Sequence, residues 1–258
     1  MIPGPPRMAL TADWAVLWAL FLTAAGLFAW RVTYLIRLLR LGRPEMRWDR
    51  IPERIKNVIV YVLGQRRMLD EPLVGIPHLF IFYGFIVFVM ATSGMLLQGL
   101  LPGLPIPKLE ESRFFAPLID IFAAVVLMAL AITSFRRFIL RPEGLQQTWD
   151  ATLVNALIAA LMVTYLGASS FQIVASPGES KIWTPFAWGL ADWFGRSETL
   201  RVHAGSIQQA FWWAHISIVL FFLAYLPYSK HLHLLASPFS VFFSRLDPPG
   251  RLAASESL

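Results

Sequence analysis

A chain of 258 residues that is 57% hydrophobic, only 15% charged and +6 in formal charge, with mean hydropathy +0.58, has bilayer composition. A soluble domain is about a quarter charged. The sequence contains no cysteine, which excludes disulfides, thiolate-held iron–sulfur clusters and covalent C-x-x-C-H haem attachment on this chain. Its basic residues sit at the ends of apolar runs instead of along a solvated face, which argues for a membrane and against nucleic-acid binding.

In chain order, Met1–Leu10 carries three prolines and one arginine. The apolar run that follows exceeds a signal-peptide core and lacks a small-residue cleavage site, so it is expected to be retained as a first span. Crossing roughly 30 Å of hydrocarbon takes about 20 residues, and five stretches qualify: Ala9–Tyr34, Pro77–Leu101, Phe114–Phe138, Thr152–Val174 and Ser206–Tyr228. Proline- and glycine-rich turns such as Leu101–Pro105 and Arg141–Gly144 separate them. The expected fold is an all-α integral membrane bundle of five transmembrane helices, with residues 1–240 as one membrane domain and 241–258 as a C-terminal tail.

Between spans one and two, Ile51, Ile55, Val58, Ile59, Val62 and Leu63 recur at helical spacing, flanked by Arg50, Arg54, Arg66 and Arg67. This predicts an amphipathic helix lying in the interface, anchored on anionic lipid and suited to docking a partner protein. Of the 22 Lys and Arg residues, sixteen fall on the side of this loop, the connection at Arg136, Arg137 and Arg141, and the tail; six fall on the other. The positive-inside rule then sets the N-terminus outside and the C-terminus in the cytoplasm. Trp30, Trp48, Trp183 and Trp188 fit the aromatic belts.

All five histidines lie on or beside the second and fifth spans: His78 opens the second, His203 precedes the fifth, His215 lies within it, and His231 and His233 follow it. Ionisable residues within a span are costly and mark sites. Haem iron takes axial ligands on opposite faces of the ring, so two imidazoles from different helices must share one depth. His78 meets this condition with His231 or His233, but not with His215, about 16 Å along the helix from Leu226. Eighteen residues separate His215 from His233, about five whole turns and 27 Å, so an unbroken helix aims both the same way and favours His233 over His231. Pro227 between them leaves that choice open.

The pattern suits an inner haem at His78 with His233 or His231 and an outer one at His215. For the outer iron the second span offers Met90 or Met95 as sixth ligand and no second histidine, so one or two haems are expected. His203 is a solvated interfacial side chain on this reading. The other class the residues allow is a haem-free scaffold or a proton-coupled transporter using His215, although no internal repeat or mid-membrane helix break supports transport.

Two strings carry more than geometry: Gly64-Gln-Arg-Arg-Met-Leu69 leading to Gly75-Ile-Pro-His-Leu-Phe80, and Trp212-Trp-Ala-His215 leading to Pro227-Tyr-Ser-Lys-His-Leu-His233. Over essentially the whole chain the sequence resembles the cytochrome b membrane domain of the respiratory nitrate reductase gamma subunit, the heterodisulfide reductase membrane subunit and the electron-transfer-flavoprotein:menaquinone oxidoreductases. The resemblance implies a bacterial or archaeal cell-membrane protein that binds haem b. It would carry electrons between a quinone or menaquinone pool and a cytoplasmic iron–sulfur subunit, heterodisulfide-reductase-like, or an electron-transfer flavoprotein. His78, His215 and His231 or His233 inherit ligand roles by position. The nitrate reductase pattern has a second histidine on span two that is absent here, so its four-histidine scheme does not carry over. Fused members continue into an iron–sulfur domain where this sequence ends, so the clusters are expected on another polypeptide. Arg66, Arg67 and Lys230 are candidate contacts for haem propionates or acidic partner groups, with lipid phosphate as the alternative. Gln208, Gln209 and Arg201 are candidates for holding a quinone carbonyl near the outer site.

Overall fold

A computed structural model describes residues 12–107, 109, 112–143, 148–176 and 183–247. The start of the first expected span, the orienting charges Arg7, Lys108, Lys181 and Arg251, and the tail after Asp247 lie outside the described residues. Within them the protein is all helical, with no strand. Five helices are long and apolar enough to cross a membrane: Ala12–Leu39, Pro72–Leu100, Phe115–Leu140, Trp149–Ala175 and Ala204–Tyr228. They comprise α1 (Ala12–Leu39), α3 (Pro72–Leu100), α4 (Phe115–Phe135), α5 (Trp149–Ala175) and α8 (Ala204–Tyr225). Short helices lie between or after them: α2 (Ile51–Asn57), α6 (Pro185–Phe194), α7 (Glu198–Val202) and α9 (Leu232–Phe242).

Two boundaries shift most from those expected. Helix α1 runs on past Tyr34 to Leu39, since the long stems of Arg31 and Arg37 let a span extend into the headgroups without burying charge. Helix α3 starts at Pro72, and Pro77 lies inside it. Pro72 holds the first helical position, where its missing N–H is no loss.

The bundle packs through small residues. In α5 a Cβ on Gly167 would sit 2.7 Å from the Phe211 ring of α8, so glycine permits the close approach of these two helices. In α3 a Cβ on Gly84 would run into Val126 of α4. Ile119, Ala123, Val126, Met162 and Tyr165 join α3, α4 and α5 in one apolar cluster. Leu17 and Ala24 of α1 join Met95, Trp212, Ile216 and Leu220 in another. Trp14 and Trp18 both donate their indole N–H to the Leu100 carbonyl, at 3.1 Å each, and so pin α1 to an open C-terminal carbonyl of α3.

An intramembrane carboxylate belongs to this framework. Asp120 of α4 is 0% exposed and accepts hydrogen bonds from the Phe186 and Ala187 N–H groups at 2.8 and 3.0 Å. These are unpaired donors at the start of α6, so a side chain from one helix caps another, favoured by the helix dipole.

At the end of the bundle rich in arginine, α2 continues as a π-helical turn over Val58–Leu63. The expected amphipathic helix is present, but one of its basic flanks is not solvated. Arg54 is 3% exposed and donates to the Asp49 carboxylate, the Asp49 carbonyl, and the Phe242 and Ser244 carbonyls, all at 2.7–2.8 Å. The last two lie at the end of α9, where a cation satisfies helix carbonyls that have no partner of their own. Arg47 donates to the adjacent Phe243 carbonyl. Tyr83 of α3 ties the other end of the segment down through the Leu63 carbonyl, 2.7 Å away.

Gly75 explains part of the first sequence string. A Cβ there would collide with the Met68 carbonyl in the 3₁₀ turn Arg66–Asp70, one helical turn before His78. Gly75→Ala is expected to destabilise the protein by about 3 kcal/mol through this backbone overlap, read as a lower thermal unfolding midpoint in detergent. Gly103→Ala, where a Cβ meets open space, serves as the control.

Candidate functional site: a histidine-ended cavity in the bundle

The last turn of α8 decides the site. Its α-helix stops at Tyr225, Leu226–Tyr228 form a 3₁₀ turn, and Ser229 is extended. Helix α9 then starts at Leu232 with His231 at its N-cap. Pro227 contributes by lacking an N–H. Five whole turns therefore do not link His215 to His233, and helical phase no longer separates His233 from His231. The break brings the two together, with ring centroids 5.5 Å apart and planes at 69°.

Asp150, in the first turn of α5, holds this break in place. Its carboxylate accepts from the Tyr225 hydroxyl at 2.6 Å and from the Lys230 N–H at 3.0 Å. The Lys230 ammonium turns to the Thr148 hydroxyl, 3.3 Å away.

Beside this clasp lies a cavity of about 510 Å³ between α3, α4, α5, α8 and α9, within the 300–1,000 Å³ range of cofactor sites. His78, His231 and His233 line it, with Arg136, Arg137, Thr133 and Asn155 among mainly apolar side chains. Each imidazole can be assigned. His233 Nδ1 is 2.7 Å from the Lys230 carbonyl oxygen. That oxygen only accepts, so Nδ1 carries a proton and donates to it. Burial pushes the His231 imidazole down to about 4, with neighbouring His233 and His78 adding to the shift and Asp150 opposing it, so the ring is neutral at pH 7. His78 Nδ1 is buried with no hydrogen-bond partner. Neutral imidazoles with a free ring nitrogen are metal-competent. Among the described residues no group of three or more His, Cys, Asp or Glu could hold a bare metal ion. The three histidines instead share one mainly apolar slot.

His215 is at a different place. It is 6% exposed, and its Nδ1 lies 2.9 Å from the Thr164 hydroxyl oxygen. Thr164 has one proton and sits 2.7 Å from the Ala160 carbonyl, which takes it. The His215 Nδ1–H therefore donates to Thr164, leaving its Nε2 as acceptor. The adjoining cavity, lined by Met95, Tyr165 and Trp212 among others, is about 10 Å³, the room of roughly one water. Phe88 and Thr92 line both cavities and separate them.

The remaining predicted site residues are spread out. Met95 is 3% exposed beside His215, whereas Met90 is 46% exposed on the outer surface. Gln208 is half-buried, Gln209, Arg201 and His203 are exposed, and none of them lines either cavity. Arg66 and Arg67 are exposed, Arg67 lying over the Tyr61 ring at 5.0 Å. With Lys230 they stay off the large cavity, whose cations are Arg136 and Arg137. Sequence reasoning treats those two only as loop charges. Their spacing from Thr133, three and four residues on, is the available signal for a shared face. Asp150 also escapes a reading of the sequence alone.

Fold and composition define a multi-pass all-α membrane protein, and comparison with known proteins makes it a relative of redox enzymes. The chain is homologous to the probable iron-sulfur-binding oxidoreductase FadF of Bacillus subtilis, 32% identical over 232 residues, covering 89% of this chain and 32% of that protein. It is 27% identical over 213 residues to the EtfAB:quinone oxidoreductase of Syntrophomonas wolfei, covering 78% and 29%. A component of the dihydromethanophenazine:CoB–CoM heterodisulfide reductase of Methanosarcina barkeri is 24% identical over 198 residues, covering 74% and 66%. The chain thus spans about a third of the first two and two thirds of the third. No family model and no solved structure matches it significantly.

Proposed function

We propose that this chain is the haem b-binding membrane part of a respiratory oxidoreductase, passing electrons between the quinone or menaquinone pool and an iron–sulfur partner on the cytoplasmic face. The observation that carries this is the 510 Å³ apolar cavity ended by His78, His231 and His233. The names of the relatives, which mention iron–sulfur binding, quinone and heterodisulfide reduction, support the partners. The arginine-rich end is the cytoplasmic one by the distribution of Lys and Arg, which puts the histidines where a soluble partner can approach. A heterodisulfide-reductase-like iron–sulfur protein or an electron-transfer flavoprotein fits that place.

The bound haem would supply one-electron chemistry, its potential set by axial ligands and surroundings. The chain does the rest. His78 from α3 and one of His231 and His233 would hold the iron, and the Lys230 carbonyl fixes the His233 tautomer. Phe85, Phe222 and Leu226 exclude water along the slot. A second ring at His215 would have to displace Phe88, Met95 and Trp212, so one haem per chain is the stoichiometry proposed.

The test is a dithionite-reduced minus oxidised spectrum of the full-length protein purified after haem-replete expression, with a pyridine haemochrome count. A b-type α-band at about one haem per chain is expected. Absence of the band would leave a haem-free scaffold or transporter.

A further inference from the structure

The large cavity has a charge pattern that its histidines do not explain. Arg136 and Arg137 line it at the same end as His78, His231 and His233, and among the described residues no aspartate or glutamate does. Both arginines are half-buried at the end of α4, in a π-helical turn over Arg136–Leu140 that closes on Arg141 with φ of 44°. Thr133 precedes them by three and four residues and lines the same wall, its hydroxyl donating to the Leu130 carbonyl at 3.1 Å. Among the described residues no carboxylate pairs with Arg136 within salt-bridge distance. Guanidinium groups lining an apolar slot suit a ligand that carries negative oxygen-bearing groups on an otherwise apolar body. Guanidinium geometry suits carboxylate and phosphate, and in a partly dry site such bonds are worth more than at the surface.

Resting on the haem reading above, we propose that Arg136 and Arg137 hold the two carboxylate arms of the tetrapyrrole. This turns its acidic edge toward α4 and the arginine-rich end. The role falls here and not on Arg66, Arg67 or Lys230, because those three side chains do not reach the cavity and Lys230 is turned to Thr148. A second consequence concerns redox poise. Cationic groups beside the ring favour the reduced state, which carries one positive charge fewer at the iron, so they raise the reduction potential.

Oxygen anions of this kind have two sources, carboxylates of the ring or the phosphate of an anionic lipid at the cavity mouth, and the experiment separates them. Full-length protein from haem-depleted cells is titrated with haemin and with haemin dimethyl ester, whose carboxylates are masked. Wild type is expected to prefer haemin by on the order of tenfold to a hundredfold, as for charge-assisted bonds. Arg136→Gln/Arg137→Gln is expected to bind the two alike, and Arg136→Lys/Arg137→Lys to recover part of the preference. In the reconstituted Gln variant the reduction potential is expected to fall, by about 59 mV for a tenfold change in the reduced-to-oxidised ratio.

Equal binding of haemin and its diester by wild type would overturn the assignment. Loss of bound phosphatidylglycerol from the Gln variant in native mass spectrometry would in that case identify lipid phosphate as the anion. If neither form of haemin gives a b-type spectrum with wild type, the haem reading itself has failed. A b-type spectrum without discrimination defeats only the arginine assignment.

Discussion

His78→Ala is expected to abolish the b-type α-band of the purified protein, haem occupancy falling at least about tenfold while the helical circular dichroism is retained. The substitution would take away one of the two imidazoles proposed to hold the iron, and even outer-shell partners of metal ligands are worth about ten- to a hundredfold in affinity. His78 lies at the start of α3, half-buried with an unpartnered Nδ1, so its loss opens no hydrogen-bond network that would unfold the bundle. A structural role and a ligand role are separated by His78→Met. A thioether ligand is expected to restore bound haem with a raised reduction potential, whereas a merely structural imidazole would leave the potential unmoved. Unchanged haem content in His78→Ala would refute the ligand assignment. The parallel pair His231→Ala and His233→Ala identifies the opposite ligand, since only one of them should reproduce the His78→Ala spectrum.

Arg54→Met should be the most damaging change outside the cavity. The guanidinium makes four hydrogen bonds, two to Asp49 and two to the Phe242 and Ser244 carbonyls that join the interfacial segment to the end of α9, and methionine fills its volume while leaving those carbonyls without a donor. Bonds to a charged donor and the exposure of buried acceptors together give about 3 kcal/mol, or roughly 6–12 °C in the unfolding midpoint for a chain of this size. Limited proteolysis should cut within 232–247 first, because α9 loses its latch before the bundle opens. Arg54→Lys, with one ammonium in place of a fork, should fall between. A midpoint within about a degree of wild type would show that α9 is held by other contacts.

The two variants also mark how far the sequence is legible. His78 is visible because an ionisable residue at the rim of an apolar run is conspicuous by itself. Arg54 looks like any other basic flank, since periodicity assigns faces to an isolated helix and takes no account of a later helix folding over it. Asp120 is hidden for a similar reason. Its partners are backbone N–H groups 66 and 67 positions away, and no local pattern announces a cap supplied across helices. Met90 and Met95 are equivalent candidates until packing turns one outward and the other toward His215.

What the sequence determined by itself was the membrane class, the five spans, the amphipathic interfacial segment and the two spans on or beside which the histidines lie. These follow from hydrophobic length, helical period and the cost of ionisable groups in hydrocarbon, all properties of consecutive residues. The tertiary structure alone decided that α8 breaks before His231, that Asp150 clasps the break, and that Arg136 and Arg137 share a cavity with His78. Each of these depends on which side chains from distant segments compete for the same buried space and the same unpaired donors and acceptors, and that competition exists only once the helices are packed.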